Sequence, residues 1–290
     1  MRILNSMPPY NLFGLEEQNY DSAKVVVLPI PYDSTSTYKV GSREGPRAVI
    51  EASRSMELYS EELDREISEI GIFTLDELYP DFNSPEGTVN RIAKEVSLIL
   101  EDGKMPLLLG GEHTIAIGGI KAAKGKHKEF SVLHFDAHAD SRDEYFSSKF
   151  CHACVMARAR EMCDSCFSVG VRSIDKTSAH EHEKSILYMK DMRKLDANGI
   201  ADLILRNTGK NIYLTVDLDV LDPSEMPSTG TPEPGGMGFD CLREVLKLVL
   251  AKRNLIGADF SELCPIPGMV APNFLAAKLI YLTLGYAFTK

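Results

Sequence analysis

The sequence lacks the features that would direct it to a membrane or to nucleic acid. Its 290 residues contain no apolar run near the roughly 18 residues of a membrane span, and the first residues form no continuous apolar segment of a signal peptide. The 32 Lys and Arg residues are scattered and outnumbered by 42 Asp and Glu, which gives a formal net charge of -10. We therefore expect a cytoplasmic protein that binds neither a membrane nor nucleic acid.

Nucleotide-binding signatures are also missing. The chain has no Walker motif and no G-x-G-x-x-G that follows a predicted strand, so we discard a nucleotide-binding α/β protein. It has no internal repeat, low-complexity tract or linker either. With 44% hydrophobic residues, the sequence is sufficient for one buried core.

Short β-branched runs alternate with longer amphipathic segments, a pattern typical of a parallel sheet with helical crossovers. Helices are predicted between the runs, and Pro and Gly cluster where strands end. We therefore expect one α/β domain over residues 1–290. The eight predicted strands begin at Lys24, Ile70, Met105, Phe130, Phe167, Ile186, Asn211 and Leu255.

Three polar motifs directly follow apolar strands. They read GGEHT from Gly110, HFDAHAD from His134, and DLD from Asp217. Because the carboxyl ends of parallel strands share one edge of the sheet, we expect these motifs to meet in a single crevice. Alternate residues of DAHAD also share one side of an extended chain, which gathers its acids and its second histidine.

Aspartates gathered in one crevice repel one another and are costly to bury unless a cation compensates them. Four carboxylates would be balanced by two divalent cations. Carboxylates and imidazoles without a thiolate suit manganese or another fairly hard ion better than a structural zinc. The sequence therefore predicts a binuclear metal site.

With these motifs, the chain resembles the ureohydrolase family of arginase and agmatinase. The resemblance covers nearly the whole chain and includes GSREGPRAVIEASRSME, VDLDVLDPSEMPSTGTPEPGG and GADFSELCP besides the polar motifs. It implies an arginase-like fold, with three αβα layers around a mostly parallel eight-stranded sheet. It also implies two Mn²⁺ per chain and a homo-oligomer, either a trimer or a hexamer.

The family pattern further implies a role for each metal-binding residue. Each ion has one histidine and one aspartate of its own, and two aspartates bridge the pair: His113 with Asp140, His138 with Asp219, and Asp136 and Asp217 as bridges. A hydroxide held between the ions would attack the guanidinium carbon, and Asp140 would orient it.

Two further residues are assigned to the substrate. Glu262 resembles the family glutamate that binds the guanidinium through two parallel hydrogen bonds. His152 resembles the histidine that protonates the leaving amine, although the loop reads CHACVMAR where many relatives have glycine after that histidine. We expect Glu112 and Asp222 to lie outside the ligand set, and His134 to point away from it by strand alternation.

The loop after Asp140 reads DSRDEYFSSKF and favours a substrate with a cationic distal end. Asp143 and Glu144 could attract the ammonium of agmatine and would repel a carboxylate, whereas Arg142 and Ser147 could bind one. We expect a small cationic guanidino substrate, first of all agmatine, cleaved to putrescine and urea. Arginine, aminopropylagmatine and guanidinobutyrate are the alternatives.

Two other classes stay open. One is a deacetylase-like amidohydrolase with a single zinc, but His113 and Asp219 would then have no metal ion to bind. The other is a homologue that has lost catalysis, which the intact ligand set disfavours.

Four cysteines form two C-x2-C pairs, Cys151 with Cys154 and Cys163 with Cys166, a pattern that in isolation indicates a zinc knuckle. A predicted helix between the pairs would hold them apart. We expect ordinary thiols, with a Cys163–Cys166 disulfide or a structural metal as the alternatives.

Overall fold

An eight-stranded sheet runs through the centre of the computed structural model, which describes residues 7–289. The sheet contains β1 (Val25–Ile30), β4 (Ile72–Thr74), β5 (Met105–Gly110), β6 (Ser131–Phe135), β7 (Ser165–Val171), β8 (Ile186–Tyr188), β9 (Asn211–Asp217) and β10 (Asn254–Ser261). A separate ribbon pairs β2 (Tyr59–Ser60) with β3 (Arg65–Glu66). The spatial order in the sheet is β4-β1-β5-β10-β9-β6-β7-β8, and each of these pairings is parallel.

Helices cover both faces of the sheet. The α-helices are α1 (Gly45–Ser53), α2 (Pro85–Glu101), α3 (Ile115–Lys126), α4 (Val155–Arg160), α5 (Lys176–Glu181), α6 (Met189–Met192), α7 (Ala197–Asn207), α8 (Phe239–Leu250) and α9 (Ala271–Phe288). One core packs α1, α7, α8 and α9 against one face. The opposite face carries α2, α3 and α4. The protein therefore has three layers, with helices on both sides of a parallel sheet.

Local sequence explains these helices. In α8 the buried residues Leu242, Val245, Leu246 and Val249 recur at helical spacing and form one apolar stripe that faces the core. Helix α2 begins where the Ser84 side chain accepts a hydrogen bond from a backbone N–H of the first turn. Helix α9 is buried over most of its surface because it lies between α1 and α8.

The three-layer parallel fold and all eight predicted strands are confirmed. Helix α1 ends at Ser53, and Tyr59–Ser60 forms β2 a few residues later. The single domain was predicted over residues 1–290, of which 1–6 and 290 lie outside the described residues. Within 7–289, no helix is both long enough and apolar enough to cross a membrane.

The sheet order brings the polar motifs together. Strands β5, β10, β9 and β6 are successive neighbours in the sheet. GGEHT follows β5, DAHAD follows β6, and DLD begins at the last residue of β9. Because all four strands are parallel, their carboxyl ends form one edge, and the three motifs meet there.

Candidate metal centre

A first cluster of metal-binding side chains lies beyond the ends of β5 and β6. His113 Nδ1 is 2.9 Å from Asp140 Oδ2 and 3.3 Å from Asp136 Oδ2. Asp217 Oδ2 lies 3.7 Å from the same nitrogen. Ligand atoms of His113, His134, Asp136 and Asp140 lie within 4.8 Å of one another, so one cation could bind among them.

A second cluster adjoins the first. His138 Nδ1 is 2.8 Å from Asp219 Oδ2 and 3.5 Å from Asp136 Oδ1. Ligand atoms of Asp136, His138 and Asp219 also lie within 4.8 Å of one another. Asp136 therefore belongs to both clusters, with one carboxylate oxygen facing each.

Three aspartates of these clusters are buried: Asp136 is 0% exposed, Asp217 4% and Asp219 2%. Burial and the negative charges of Asp219 and Asp136 raise the pKa of Asp217 well above its usual value. Burial and Asp136 likewise raise the pKa of Asp219. Crowded buried acids of this kind are stabilised by a bound cation, and oxygen and imidazole donors suit a divalent metal ion.

Backbone hydrogen bonds fix how these carboxylates face. Asp219 Oδ1 accepts the Ala137 N–H at 3.0 Å, and Asp217 Oδ1 accepts the Asp219 N–H at 2.9 Å. In each carboxylate the other oxygen is left for the cluster. Asp140 adopts φ 44°, a left-handed conformation that is costly for a residue with a side chain and that recurs at functional sites.

A buried chain of hydrogen bonds fixes the orientation of His113 on the side that faces away from the clusters. His113 Nε2 lies 2.8 Å from Thr215 Oγ1, which donates its proton to Asp259 Oδ1 at 2.8 Å. The hydroxyl can then only accept from His113 Nε2–H, so Nδ1 is the nitrogen that faces the first cluster and would offer its lone pair to a cation bound there. Burial raises the pKa of Asp259 to about 6, so this acceptor is ionised at neutral pH.

His138, Asp140 and Asp217 form the floor of a cleft of about 360 Å³, and Glu262 and His152 also line it. Glu262 Oε1 accepts the His113 N–H at 2.7 Å, and burial and the charge of Glu112 raise the pKa of Glu262. The His152 N–H donates to Thr35 Oγ1 at 3.4 Å, and its Nδ1 lies 3.8 Å from Glu112 Oε2. Burial lowers the pKa of His152.

The structure therefore brings together the six predicted ligands and both predicted substrate residues of this edge. Glu112 and Asp222 make other contacts. Glu112 accepts hydrogen bonds from the backbone and hydroxyl of Thr35. Asp222 accepts the N–H groups of Gly235 and Gly236 and shapes the loop after β9.

His134 was expected to point away from the site, and this expectation is wrong. Its Nε2 lies 2.8 Å from Asp136 Oδ2, and its Nδ1 lies 3.0 Å from Ser168 Oγ. Residues two apart in an extended strand share a face, so alternation places His134 beside Asp136. His134 supports the orientation of Asp136.

Asp143 and Glu144 were expected to bind the distal end of the substrate, but the structure does not bring them to the cleft. Asp143 is exposed, and its oxygens lie 2.5 Å from Arg158 Nη2 and 3.2 Å from Lys149 Nζ. Both acids line a separate surface depression. The neighbouring residues Arg142 and Tyr145 of the same loop do line the cleft, so it is the side chains of these two acids that face away from it.

Three residues of the site escape the sequence interpretation. Thr215 lies two residues before Asp217 on β9, so strand alternation could have placed it on the same face. Asp259 is a charged residue within an apolar strand, a signal of a buried polar role. Asp175, which lines the cleft, belongs to the segment after β7 and has no sequence signal.

The cysteine pairs lie at opposite ends of α4 and form no joint metal site. Within residues 7–289, the clusters of three or more potential metal ligands are the two described above, and neither contains a cysteine. All six cysteines are free thiols.

The parallel sheet and the paired carboxylate and imidazole clusters define an α/β metallohydrolase. The chain belongs to the arginase family, whose family model matches residues 23–285. The resemblance to arginases and agmatinases, the arginase-like fold and the assignment as a ureohydrolase are thereby confirmed.

Individual relatives show which members of the family the chain is similar to. The chain is 35% identical over 277 residues to the N(1)-aminopropylagmatine ureohydrolase of Synechocystis sp., covering 92% of this chain and 90% of that protein. It is 32% identical over 257 residues to the agmatinase of Halalkalibacterium halodurans, covering 88% of each. The solved structure of the agmatine ureohydrolase of Thermoplasma volcanium matches with a TM-score of 0.86 and 28% identity, covering 94% of this chain and 92% of that one.

Thr215→Val should weaken metal binding about 10- to 100-fold, because His113 would lose the acceptor that fixes its tautomer. Thr215→Ser, which keeps the hydroxyl, should bind metal like the wild type. The matched control is Thr283→Val, whose hydroxyl bonds only to its own helix at Leu279 O. Calorimetric titration with Mn²⁺ measures the affinities, and equal affinity in Thr215→Val and Thr283→Val would show that the polar chain has no such role.

Proposed function

We propose that this enzyme hydrolyses agmatine to putrescine and urea. The observation that carries the proposal is the pair of clusters that share Asp136, of which His138 and Asp140 line the cleft. Relatives named agmatinase and aminopropylagmatine ureohydrolase, at 30% identity or more over most of the chain, support a guanidino substrate with a distal amine.

In this proposal, two divalent cations would be held by six side chains of this edge. They are His113, Asp136, His138, Asp140, Asp217 and Asp219. When bound, two divalent cations, manganese in our proposal, lower the pKa of water and so supply the nucleophile at neutral pH. Asp140 is the ligand that orients it.

Glu262 holds the guanidinium above the floor. Its Oε1 already accepts the His113 N–H, so the carboxylate is fixed in position. Its Oε2 points toward Gly230, which also lines the cleft, and a methyl group there would lie 3.6 Å from that oxygen. A carboxylate held in this way can accept parallel hydrogen bonds from a planar guanidinium and so set the angle of attack.

His152 protonates the amine nitrogen as the carbon–nitrogen bond breaks. Its imidazole lines the same cleft as Asp140 and Glu262. Imidazole changes its charge near neutral pH, which suits a group that must deliver a proton and then regain it.

Asp175 is our proposed acceptor for the distal ammonium. Of the acids that line the cleft, Asp140, Asp217 and Glu262 belong to the floor, and Asp175 lies apart from them, after β7. Although burial disfavours its charge, hydrogen bonds from Ser178 lower the pKa of Asp175 and keep it ionised. Asp175 therefore replaces Asp143 and Glu144 in our account of the distal end.

Aminopropylagmatine is the second candidate substrate. The Synechocystis sp. relative with that name is 35% identical, against 32% for the agmatinase of Halalkalibacterium halodurans. A longer amine could extend past Asp175 toward solvent. The manganese preference, the homo-oligomer and the cytoplasmic location stay predictions.

The substrate assignment predicts that agmatine has a higher kcat/KM than arginine or guanidinobutyrate. A carboxylate at the distal end would meet the negative charge of Asp175. Urea release from the Mn²⁺-loaded enzyme, measured in parallel with these compounds and aminopropylagmatine, gives the ranking. A higher value for arginine would overturn the assignment, whereas a preference for aminopropylagmatine would replace agmatine by the second candidate.

Asp175→Asn should raise the KM for agmatine about tenfold with little change in kcat, as expected when a charged hydrogen bond to the substrate is lost. The matched control is Asp143→Asn, which removes the same charge outside the cleft and should leave KM unchanged. The role of Asp175 is refuted if both variants behave alike.

His152→Ala should lower kcat by about a hundredfold or more and leave the metal content unchanged, because it removes a proton donor and no ligand. His127→Ala is the control, since His127 lies beyond the far end of α3. Metal analysis and steady-state urea release measure the two effects. Wild-type turnover in His152→Ala would mean that another group protonates the amine.

A further inference from the structure

Cys163 and Cys166 form a pair of thiols outside the cleft. Cys163 lies just after α4, Cys166 belongs to β7, and their Sγ atoms are 3.1 Å apart. Both residues line a surface depression of about 640 Å³, in which Cys163 is partly exposed. A small molecule can therefore reach these sulfurs, which are nearly close enough to bond to each other.

The second pair has the same spacing but a different environment. Cys151 and Cys154 have Sγ atoms 3.4 Å apart, and the residues are only 2% and 0% exposed. Their thiols face the Ser148 carbonyl oxygen, 4.0 Å and 3.7 Å away. This pair is closed to solvent and provides an internal comparison.

A cation lies beside the accessible pair. The Arg160 Nη1 donates to Ser141 Oγ at 3.1 Å, whereas its Nη2 is buried and has no hydrogen-bond partner among residues 7–289. Arg160 lines the same depression as both cysteines. Burial lowers the pKa of this arginine, and negative charge on Cys166 and Cys163 acts in the opposite direction. A thiolate here would therefore supply a negative charge to pair with the buried guanidinium.

The environment favours Cys163 as the attacking thiol. The hydrogen bond from Cys166 lowers the pKa of Cys163, and Cys166 itself is only 9% exposed. In the protonated state, Cys163 can donate to the Ser165 carbonyl oxygen at 3.2 Å. Reactive cysteines combine partial exposure with nearby positive charge, and Cys163 has both.

We propose that Cys163 and Cys166 are a reversible dithiol site for low-molecular-weight disulfides such as glutathione disulfide. The Cys163 thiolate attacks one sulfur of the reagent, forms a mixed disulfide and releases one glutathione thiolate. Cys166 then gives up its proton and attacks the Cys163 sulfur, which releases the second glutathione. The protein loses two electrons and two protons, and one glutathione disulfide becomes two glutathione thiols.

A disulfide fits this pair better than a metal ion. A structural zinc needs four ligands, and neither cluster of potential metal ligands among residues 7–289 includes Cys163 or Cys166. Two adjacent thiols need no further ligand to react with a disulfide.

The test uses the folded, full-length, reduced protein and the pair Cys151 and Cys154 as its control. The protein is exposed to glutathione disulfide for increasing times, and the remaining thiols are alkylated under denaturing conditions. Trypsin then releases each pair in its own peptide, 150–158 and 161–172, and mass spectrometry measures the fraction of each that carries a disulfide. Peptide 161–172 should be oxidised at least about ten times faster than peptide 150–158. Equal rates, or a fully alkylated peptide 161–172, would overturn the proposal.

Three variants test the chemistry of the pair. Cys166→Ser should retain one glutathionyl group on Cys163, because no second thiol is left to displace it. Arg160→Gln should slow the first step several-fold, and Arg160→Lys should slow it less, since the charge is kept. If Arg160→Gln reacts at the wild-type rate, the guanidinium has no role in the reaction. If Cys166→Ser forms no mixed disulfide, Cys163 is not the attacking thiol.

Discussion

Negative charge buried at one edge of the sheet is the constraint on which the rest of the structure depends. Asp136, Asp217 and Asp219 are almost fully enclosed, and burial together with neighbouring carboxylates raises the pKa of Asp217 and of Asp219. A fold tolerates such a group when cations bind there, because the ion reverses the electrostatic balance of the site. His113 and His138 lie among these acids and add imidazole donors without adding negative charge. The crowded carboxylates repel one another, and for the same reason this edge of the sheet is suited to bind a pair of divalent ions.

Two features of the fold position these side chains. One is the order of the strands, and the other is a set of hydrogen bonds to the sides of the ligands that face away from the clusters. Strands β5, β9 and β6 deliver the metal-binding residues to one edge, and β10, between β5 and β9, delivers Glu262 to the same edge. Backbone N–H groups hold one oxygen of Asp217 and of Asp219. Thr215 and Asp259 hold the far side of His113. Glu262, at φ 66°, is kept in a left-handed conformation where its N–H bonds to the Gly111 carbonyl.

Much of this could be predicted from the sequence, because parallel strands bring their carboxyl ends together and the ligands lie within a few residues of those ends. The expected orientation of His134 was wrong because residues two apart in a strand share a face, and His134 lies two residues before Asp136. Asp143 could not be placed, since the path of its loop depends on Arg158, a partner on a helix that follows later in the chain. The same holds for Asp175, which reaches the cleft from the segment after β7. Loop paths set by tertiary contacts are not encoded in local pattern.

We propose that two divalent ions, which Asp136 and Asp217 would help to hold, act together in catalysis. The proposal can be tested by titrating the metal-free protein with Mn²⁺ while the number of ions bound per chain and the rate of urea release from agmatine are both recorded. Activity should rise only as the second ion binds, the wild type should take up two ions per chain, and Asp136→Asn should be inactive at every manganese concentration. Full activity with one bound ion per chain would contradict the two-ion proposal.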